Sequence, residues 1–263
     1  MSKNFVNLLD TQYLEFAVRD LKVAAELYEK MEFTCLGTRR ENNVVSKLYA
    51  QGDVQIILSS SNDNKSSVCQ FVQKHGDGVM HVGVGVANVS EAYELGQAKG
   101  ATFARTPERL NNPTSRGTLN RASMKVFGDV EFDLIKFDES ARLSDFFPED
   151  TQKLSSTRGR YFQVIDHITV NVEKGKMNTW ANFFQDVFGF TQVRYFDINT
   201  GRTGLFSRAM RSPSGRVTMP FNEPSDPKSQ IQEFLNHFKG PGIQHVALHT
   251  GNIVTTLETM ETK

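Results

Sequence analysis

Two histidines of this chain occupy similar positions in two separate apolar segments. His167 precedes Ile-Thr-Val-Asn-Val, and His245 precedes Val-Ala-Leu. Neutral imidazole nitrogens are ligands for divalent first-row metals. A single histidine is more often a hydrogen-bonded core residue, so the metal interpretation depends on a fold that brings these two side chains together.

A weak internal repeat predicts such a fold. Strand-like segments begin near residues 13, 81, 167 and 245, and each is followed by a stretch with helical spacing of its apolar residues. In the first three cases further strand-like segments follow, separated by turn-forming residues such as Gly, Asp, Asn and Pro. Each complete repeat is therefore predicted to be a βαβββ unit.

Units of this kind should pair, because a single unit leaves one face of its sheet bare. We predict an α+β fold in which tandem units pair into two open barrel-like domains around central cavities. The predicted boundaries are an amino-terminal domain over 1–137, a linker over 138–159 and a carboxy-terminal domain over 160–263. The fourth unit reaches Lys263 after one strand and one helix, so we expect a truncated chain with an incomplete second barrel.

The amino-terminal domain provides a comparison within the chain. Its two equivalent strand openings carry Tyr13 and His81, and its last strand carries Glu131 and Asp133. With at most one imidazole at the paired positions, this domain is predicted to be structural and to lack an intact metal site. His81 is interpreted as a packing or hydrogen-bonding residue, with metal binding as the less favoured alternative.

Composition excludes several classes of protein. The 263 residues include 30 Lys and Arg against 30 Asp and Glu, so no net charge attracts nucleic acid or an anionic membrane. Cys35 and Cys69 lack the spacing of a zinc or redox motif. The sequence shows neither an apolar leader nor a membrane-spanning run, so we predict a cytoplasmic protein with no nucleic-acid or membrane partner.

Five short motifs give the chain a specific resemblance to a known family. They cover most of the third unit and the start of the fourth, and they are Asp166-His167, Gly204-Leu205-Phe206-Ser207, Met219 to Pro224, Lys228 to Gln232 and Gly242-Ile243-Gln244-His245. In these motifs the sequence resembles the 4-hydroxyphenylpyruvate dioxygenases of the vicinal-oxygen-chelate superfamily. The first half resembles the amino-terminal half of those enzymes more loosely. The fold implied is the glyoxalase/dihydroxybiphenyl dioxygenase-like one.

This resemblance implies an Fe(II) site with two histidines and one carboxylate. His167 and His245 match the two imidazole ligands, and the third ligand is a glutamate expected beyond Lys263. The implied substrate side of the cavity carries neutral groups, which orient a phenol and a keto acid without burying another charge. It consists of Ser207, Pro220, Asn222, Gln230 and Gln244. Taken singly, Asn222 is more typical of a strand-ending turn and Gln230 of a solvated helix face.

The activity that the resemblance implies is a dioxygenase reaction of tyrosine catabolism. A small aromatic 2-oxo acid, 4-hydroxyphenylpyruvate, and O2 give homogentisate and CO2. Without the third ligand, the chain is expected to bind Fe(II) weakly and to turn over little substrate. Two alternatives stay open, namely a 4-hydroxymandelate synthase-type relative and a non-catalytic small-molecule-binding protein of the same fold. The family resemblance also implies a homo-oligomer, either a dimer or a tetramer.

Overall fold

A computed structural model describes residues 4–112, 117–138, 140–151, 161–199 and 203–261 of the chain. These residues form thirteen strands, six α-helices and one 3-10 helix, and the strands make two sheets. The first half of the chain forms one sheet and the second half forms the other. None of the described helices has both the length and the apolar character that a bilayer span requires.

An eight-stranded sheet contains the strands of the first half. These are β1 (Thr11–Ala17), β2 (Thr34–Glu41), β3 (Val44–Gln51), β4 (Val54–Ser61), β5 (Gly78–Gly85), β6 (Phe103–Asn111), β7 (Thr118–Lys125) and β8 (Glu131–Phe137). Their order is β2-β3-β4-β1-β5-β8-β7-β6. β1 runs parallel to β4 and antiparallel to β5, and β5 runs parallel to β8. The sheet is therefore two βαβββ units joined through their first strands.

A five-stranded sheet repeats this arrangement in the second half. Its strands are β9 (Phe162–Asn171), β10 (Thr191–Asn199), β11 (Gly204–Arg211), β12 (Thr218–Pro224) and β13 (Gly242–Thr250). Their order is β10-β11-β12-β9-β13, with β9 parallel to β12 and antiparallel to β13. Both sheets curl, which confirms the predicted α+β fold of paired units.

The described residues include six α-helices. They are α1 (Leu21–Lys30), α2 (Ser67–His75), α3 (Val89–Ala98), α4 (Met177–Phe188), α5 (Gln230–Phe238) and α6 (Ile253–Glu261). Side chains of Asp20, Ser66, Asn88 and Ser229 accept hydrogen bonds from the first backbone N–H groups of α1, α2, α3 and α5. Gly189 ends α4 in the left-handed conformation, with φ of 69°, which explains the Gly-Phe pair after this helix.

The last strand of the third unit begins later than its sequence suggests. Arg216 to Asn222 is strand-like in sequence, whereas β12 begins at Thr218. The reason is a longer turn before it. Ser212 N–H donates to the Val217 carbonyl, and Val217 N–H donates to the Ser212 hydroxyl, so Arg216 lies inside this turn.

Part of the predicted linker packs on the first sheet. A 3-10 helix over Leu143–Phe146 is followed by Phe147, which is fully buried. The backbone groups of Thr38 and Glu149 exchange two hydrogen bonds of 2.7 and 3.0 Å. Residues 152–159 of the predicted linker lie outside the described residues, and the domain boundaries stay a prediction.

The two sheets share one aromatic core. Phe127, in the turn between β7 and β8, lies against Trp180 and Phe184 of α4 and Phe221 of β12, at ring-centroid distances of 6.0, 6.4 and 6.2 Å. Phe132 of β8 packs edge-on against Phe184. The four phenylalanines are fully buried. Burial of these rings therefore holds the second half of the chain against the first.

Replacing Phe127 with alanine tests this shared core. We expect Phe127→Ala to lower the free energy of unfolding by about 3–5 kcal/mol, because a ring-sized cavity opens between the sheets. Urea denaturation followed through Trp180, which is the one tryptophan, measures the change. Phe196→Ala, at a side chain that is 41% exposed, is the control and is expected to cost much less. Equal losses in the two variants would contradict the shared core.

A polar junction accompanies the aromatic core. His75 of α2 stacks on Phe238 of α5 with ring centroids 4.3 Å apart, and its Nδ1 donates to the Phe238 carbonyl. Its Nε2 lies 2.8 Å from Asp129 Oδ2, which also accepts from Lys74 at 2.6 Å. These hydrogen bonds from Lys74 and His75 lower the pKa of Asp129. The charged form of Asp129 therefore stabilises the folded chain.

This junction predicts that Asp129→Asn lowers the free energy of unfolding by an amount that depends on pH. A carboxylate whose folded pKa is depressed contributes stability above its ordinary pKa, and the contribution disappears as the pH falls through the folded value. Because Asp129 is half exposed, we expect a loss of only about 0.5–1 kcal/mol at neutral pH and a smaller loss at an acidic pH below the ordinary range of an aspartate. Urea midpoints at both pH values, with Glu26→Gln as an exposed control, measure it. A loss that is independent of pH would contradict the ion pair.

Candidate functional site

The pairing of β9 with β13 brings His167 and His245 together. In this antiparallel register His245 lies opposite Thr169, and Ala247 lies opposite His167. Alternate residues of a strand share a face, so His167, Thr169 and His245 point to the same side of the sheet. The two imidazole centroids are 5.6 Å apart, and their planes meet at 79°.

Hydrogen bonds orient both rings. His167 Nδ1 lies 2.7 Å from Asp166 Oδ2, and this contact leaves its Nε2 available. His245 Nε2 contacts the Thr169 hydroxyl at 2.9 Å, and its Nδ1 contacts Gln244 Oε1. Partial burial, and then the positive charge of His167, lower the pKa of His245. These effects favour the neutral form of His245, which is the form that ligates metals.

A cavity of about 490 Å³ lies in front of these rings. All seven residues that the sequence assigned to the site line it, namely His167, Ser207, Pro220, Asn222, Gln230, Gln244 and His245. Ser207 of β11 pairs directly with Asn222 of β12, and Pro220 lies two residues before Asn222 on the same face. Gln230 is the first residue of α5. The structure thus gathers the predicted residues around one cavity; their roles stay a prediction.

Sequence reasoning missed part of the lining. The additional polar residues are Thr169 and Asn171 of β9, which alternate with His167. This alternation after His167 is the signal that could have found them, because residues two apart on a strand share a face. The additional apolar residues are Phe196, Ile198, Leu205 and Ile231. No comparable signal marks these four, since they lie on strands and a helix with other apolar residues.

Asn171 has an amide donor without a partner. The side chain is only 1% exposed, and its Nδ2 makes no hydrogen bond to the part of the chain that the structure describes, while its Oδ1 accepts from Asn222 Nδ2 at 3.2 Å. A buried donor left unpaired costs roughly 1–3 kcal/mol of stability. The lining of this cavity therefore contains a polar group that the folded chain itself does not satisfy.

The described residues provide no third ligand beside the two histidines. Across these residues, one group alone brings three His, Cys, Asp or Glu side chains within metal-binding reach of one another, and it lies in the first half. That group consists of Glu15, His81 and Asp133. The glutamate expected beyond Lys263 stays a prediction.

His81 makes a hydrogen bond, as one of its two sequence interpretations expected. Its Nδ1 donates to Glu15 Oε2 at 3.0 Å. Burial alone would lower the pKa of His81, but the negative charges of Asp133 and Glu15 and the hydrogen bond to Glu15 raise it to about 9. Burial alone would likewise raise the pKa of Glu15, but His81 and then Arg39 lower it to about 2. These two groups therefore form an ion pair that is largely shielded from solvent.

Comparison with known proteins matches both halves of the chain. Residues 3–146 match the family model described as hydroxyphenylpyruvate dioxygenase, HPPD, N-terminal, and residues 164–263 match the glyoxalase/bleomycin resistance protein/dioxygenase superfamily. Protein MelA of Shewanella colwelliana is 35% identical over 98% of this chain and 72% of its own length. A 4-hydroxyphenylpyruvate dioxygenase of Pseudomonas aeruginosa is 34% identical over 94% of this chain and 67% of its own length.

A solved structure shares the fold. A triple variant of 4-hydroxymandelate synthase from Streptomyces coelicolor superimposes with a TM-score of 0.84 at 21% identity, covering 97% of this chain and 75% of its own. The likeness extends over both sheets, because nearly the whole chain is covered.

The unpaired amide predicts that alanine at Asn171 costs much less stability than alanine at the neighbouring position in β9. We expect Asn171→Ala to change the free energy of unfolding by less than about 1 kcal/mol, because an unsatisfied donor is removed and water in the cavity can accept from Asn222. Val170→Ala, at the neighbouring and equally buried position, should cost roughly 2 kcal/mol. Urea denaturation of the two variants measures both values. An equal loss at Asn171 would mean that this amide serves folding.

Proposed function

This chain belongs to the hydroxyphenylpyruvate dioxygenase family, and we propose that it binds Fe(II) through His167 and His245 and acts on 4-hydroxyphenylpyruvate. In the proposed reaction the keto acid and O2 give homogentisate and CO2. The observation that carries this proposal is the facing pair of imidazoles on the wall of a cavity of neutral polar groups. The chain spans about 70% of the length of the relatives it matches, so the activity of those whole proteins is part of the proposal.

The donor set fits ferrous iron. Imidazole suits first-row metals, and two histidines with a carboxylate are typical of non-haem Fe(II) oxygenases. Asp166 holds the ring of His167 through Nδ1, an outer contact that fixes the orientation of a metal-ligating histidine. The lowered pKa of His245 favours the free nitrogen lone pair at neutral pH. Held by His167 and His245, iron would supply open coordination positions for the keto acid and for O2.

The cavity lining suits a substrate that brings its own negative charge. Among the described lining residues, the polar groups are hydroxyls, amides and the two histidines, with no Lys, Arg, Asp or Glu. The unpaired Nδ2–H of Asn171 can donate to a substrate oxygen, and Asn222 lies beside it and pairs in turn with Ser207. Neutral donors of this kind orient a carboxylate or phenol without adding a second buried charge.

The apolar side of the cavity suits an aromatic ring. Phe196, Ile198 and Leu205 lie on one side of the opening, and Pro220 and Ile231 complete the apolar lining. A cavity of about 490 Å³ lies within the range that small-molecule sites usually have. The ring of a phenylpyruvate would lie against these side chains, with its keto acid directed toward His167 and His245. Apolar contact would also exclude water from the reacting end.

A binding experiment tests the proposed ligands without requiring turnover. Under anaerobic conditions, Fe(II) and 4-hydroxyphenylpyruvate added to the chain should produce the visible charge-transfer absorption of a chelated 2-oxo acid. His245→Ala should weaken this binding at least about tenfold. His249→Ala is the matched control, because His249 lies on the same strand but outside the cavity lining. Absence of the absorption, or an equal loss of binding in His245→Ala and His249→Ala, would contradict the proposal.

Product analysis tests the proposed reaction. With protein in excess over substrate, one round of exposure to O2 should yield homogentisate, detected by mass spectrometry. Hydroxymandelate would instead assign the chain to the mandelate-forming relatives. Binding without any product would favour the non-catalytic alternative.

A further inference from the structure

A second group of metal-ligating side chains lies inside the first sheet. Glu15 of β1, His81 of β5 and Asp133 of β8 each offer a ligand atom, and these atoms lie within 4.8 Å of one another. Glu15 is 8% exposed and Asp133 is 2% exposed, while His81 is half-buried. Three separate neighbouring strands therefore direct one donor each to a common point.

The strand registers explain this convergence. His81 lies opposite Glu15 in the β1/β5 pair, and Asp133 lies beside Gly83 in the β5/β8 pair. Gly83 and His81 share a face, and the absence of a side chain at Gly83 lets the Tyr13 ring cross this position. A Cβ atom there would lie 2.3 Å from the ring. The Tyr13 hydroxyl then reaches Asp133 Oδ2 at 2.6 Å.

Outer hydrogen bonds fix both carboxylates. Glu15 Oε1 accepts from the Ser59 hydroxyl at 2.6 Å, and Ser59 in turn contacts Ser46 at 2.7 Å. Asp133 accepts from Tyr13 through one oxygen and from Ser123 through the other. Contacts of this kind orient carboxylate ligands and strengthen metal binding. The remaining oxygen of Glu15 faces His81 Nδ1, which lies 3.6 Å from Asp133 Oδ2.

The same position in the second half carries a predicted iron ligand. His81 lies opposite Glu15 as His245 lies opposite Thr169, in strand pairs of the same topology. Tyr13 accordingly corresponds to His167, two residues earlier on the first strand. The first half thus keeps a histidine at one ligand position, has Tyr13 at the other, and carries the carboxylate of Glu15 at the position of Thr169. This equivalence sets the group apart from an ordinary buried ion pair.

The group opens onto a cavity of its own. This cavity has a volume of about 420 Å³, and its lining includes Arg39, Arg105 and Arg121 as well as the three donors. A metal bound there would therefore have space for water or a small anionic ligand at its open positions.

We propose that Glu15, His81 and Asp133 bind a divalent first-row metal ion, at a site separate from His167 and His245. Two carboxylates and one imidazole suit Mn(II), Fe(II) or Zn(II). A cation held by all three donors would lie between the two carboxylates and the His81 ring. The first half is then a second ligand-binding barrel, in contrast to the structural role that its sequence suggested.

Mn(II) binding to the 263-residue chain tests this proposal. In a His245→Ala chain, which disables the second-half site, electron paramagnetic resonance of free Mn(II) should still show one bound ion. Adding His81→Gln should weaken this binding at least about tenfold. Adding His237→Gln instead, at an exposed histidine, should leave it unchanged. An His245→Ala chain that binds no Mn(II), or binds it equally well with His81→Gln, would overturn the proposal.

A second measurement avoids substitution in the first half. In the unsubstituted chain, Mn(II) should broaden the proton NMR signals of the His81 and Tyr13 rings. Broadening confined to His167 and His245 would overturn the proposal while leaving the proposed function intact. Broadening at His81 and Tyr13 alone would support this site and contradict the proposed iron ligands.

Discussion

The candidate site depends on one antiparallel strand pairing, that of β9 with β13. His167 and His245 are separated by most of a βαβββ unit along the chain, and only this register places their rings 5.6 Å apart. A slip of one residue would turn one histidine to the opposite face of the sheet. The pairing shifts register between Ile243 and His245, immediately before the ligand position. Such irregularities change the direction of side chains near functional sites. Here the shift immediately precedes His245, which faces the same side of the sheet as His167.

The same constraint operates in the first sheet and gives a different result. There β1 pairs with β5, and the equivalent face holds Tyr13, Glu15 and His81 in a hydrogen-bonded group with Asp133. The same antiparallel pairing of first strands thus places polar side chains on one face of both sheets. The aromatic core that the two halves share lies elsewhere, around Phe127 and Phe184.

Much of the architecture could be predicted from the sequence, because a period of two residues and a repeated strand opening are strong local signals. The pairing of His167 with His245 and the cavity position of Asn222 followed from that repeat and from the family resemblance. The alternation also contained Asn171, whose unpaired amide no sequence pattern could reveal. Glu15 was not predicted beside His81, because it lies one alternation beyond the expected ligand position, Tyr13. The 3-10 helix at Leu143–Phe146 packs through contacts with residues far away in the sequence. The local composition is polar and typical of a linker, so it did not predict this packing.

The central claim is that His167 and His245 act together as ligands of one iron. X-ray absorption of iron measures this most directly, because imidazole rings give a multiple-scattering signal that reports their number. The sample is the full chain carrying His81→Gln, loaded with one equivalent of Fe(II) without oxygen, so that iron reports on the second half alone. The account predicts two imidazoles at the iron. A spectrum that fits one imidazole or none would contradict it.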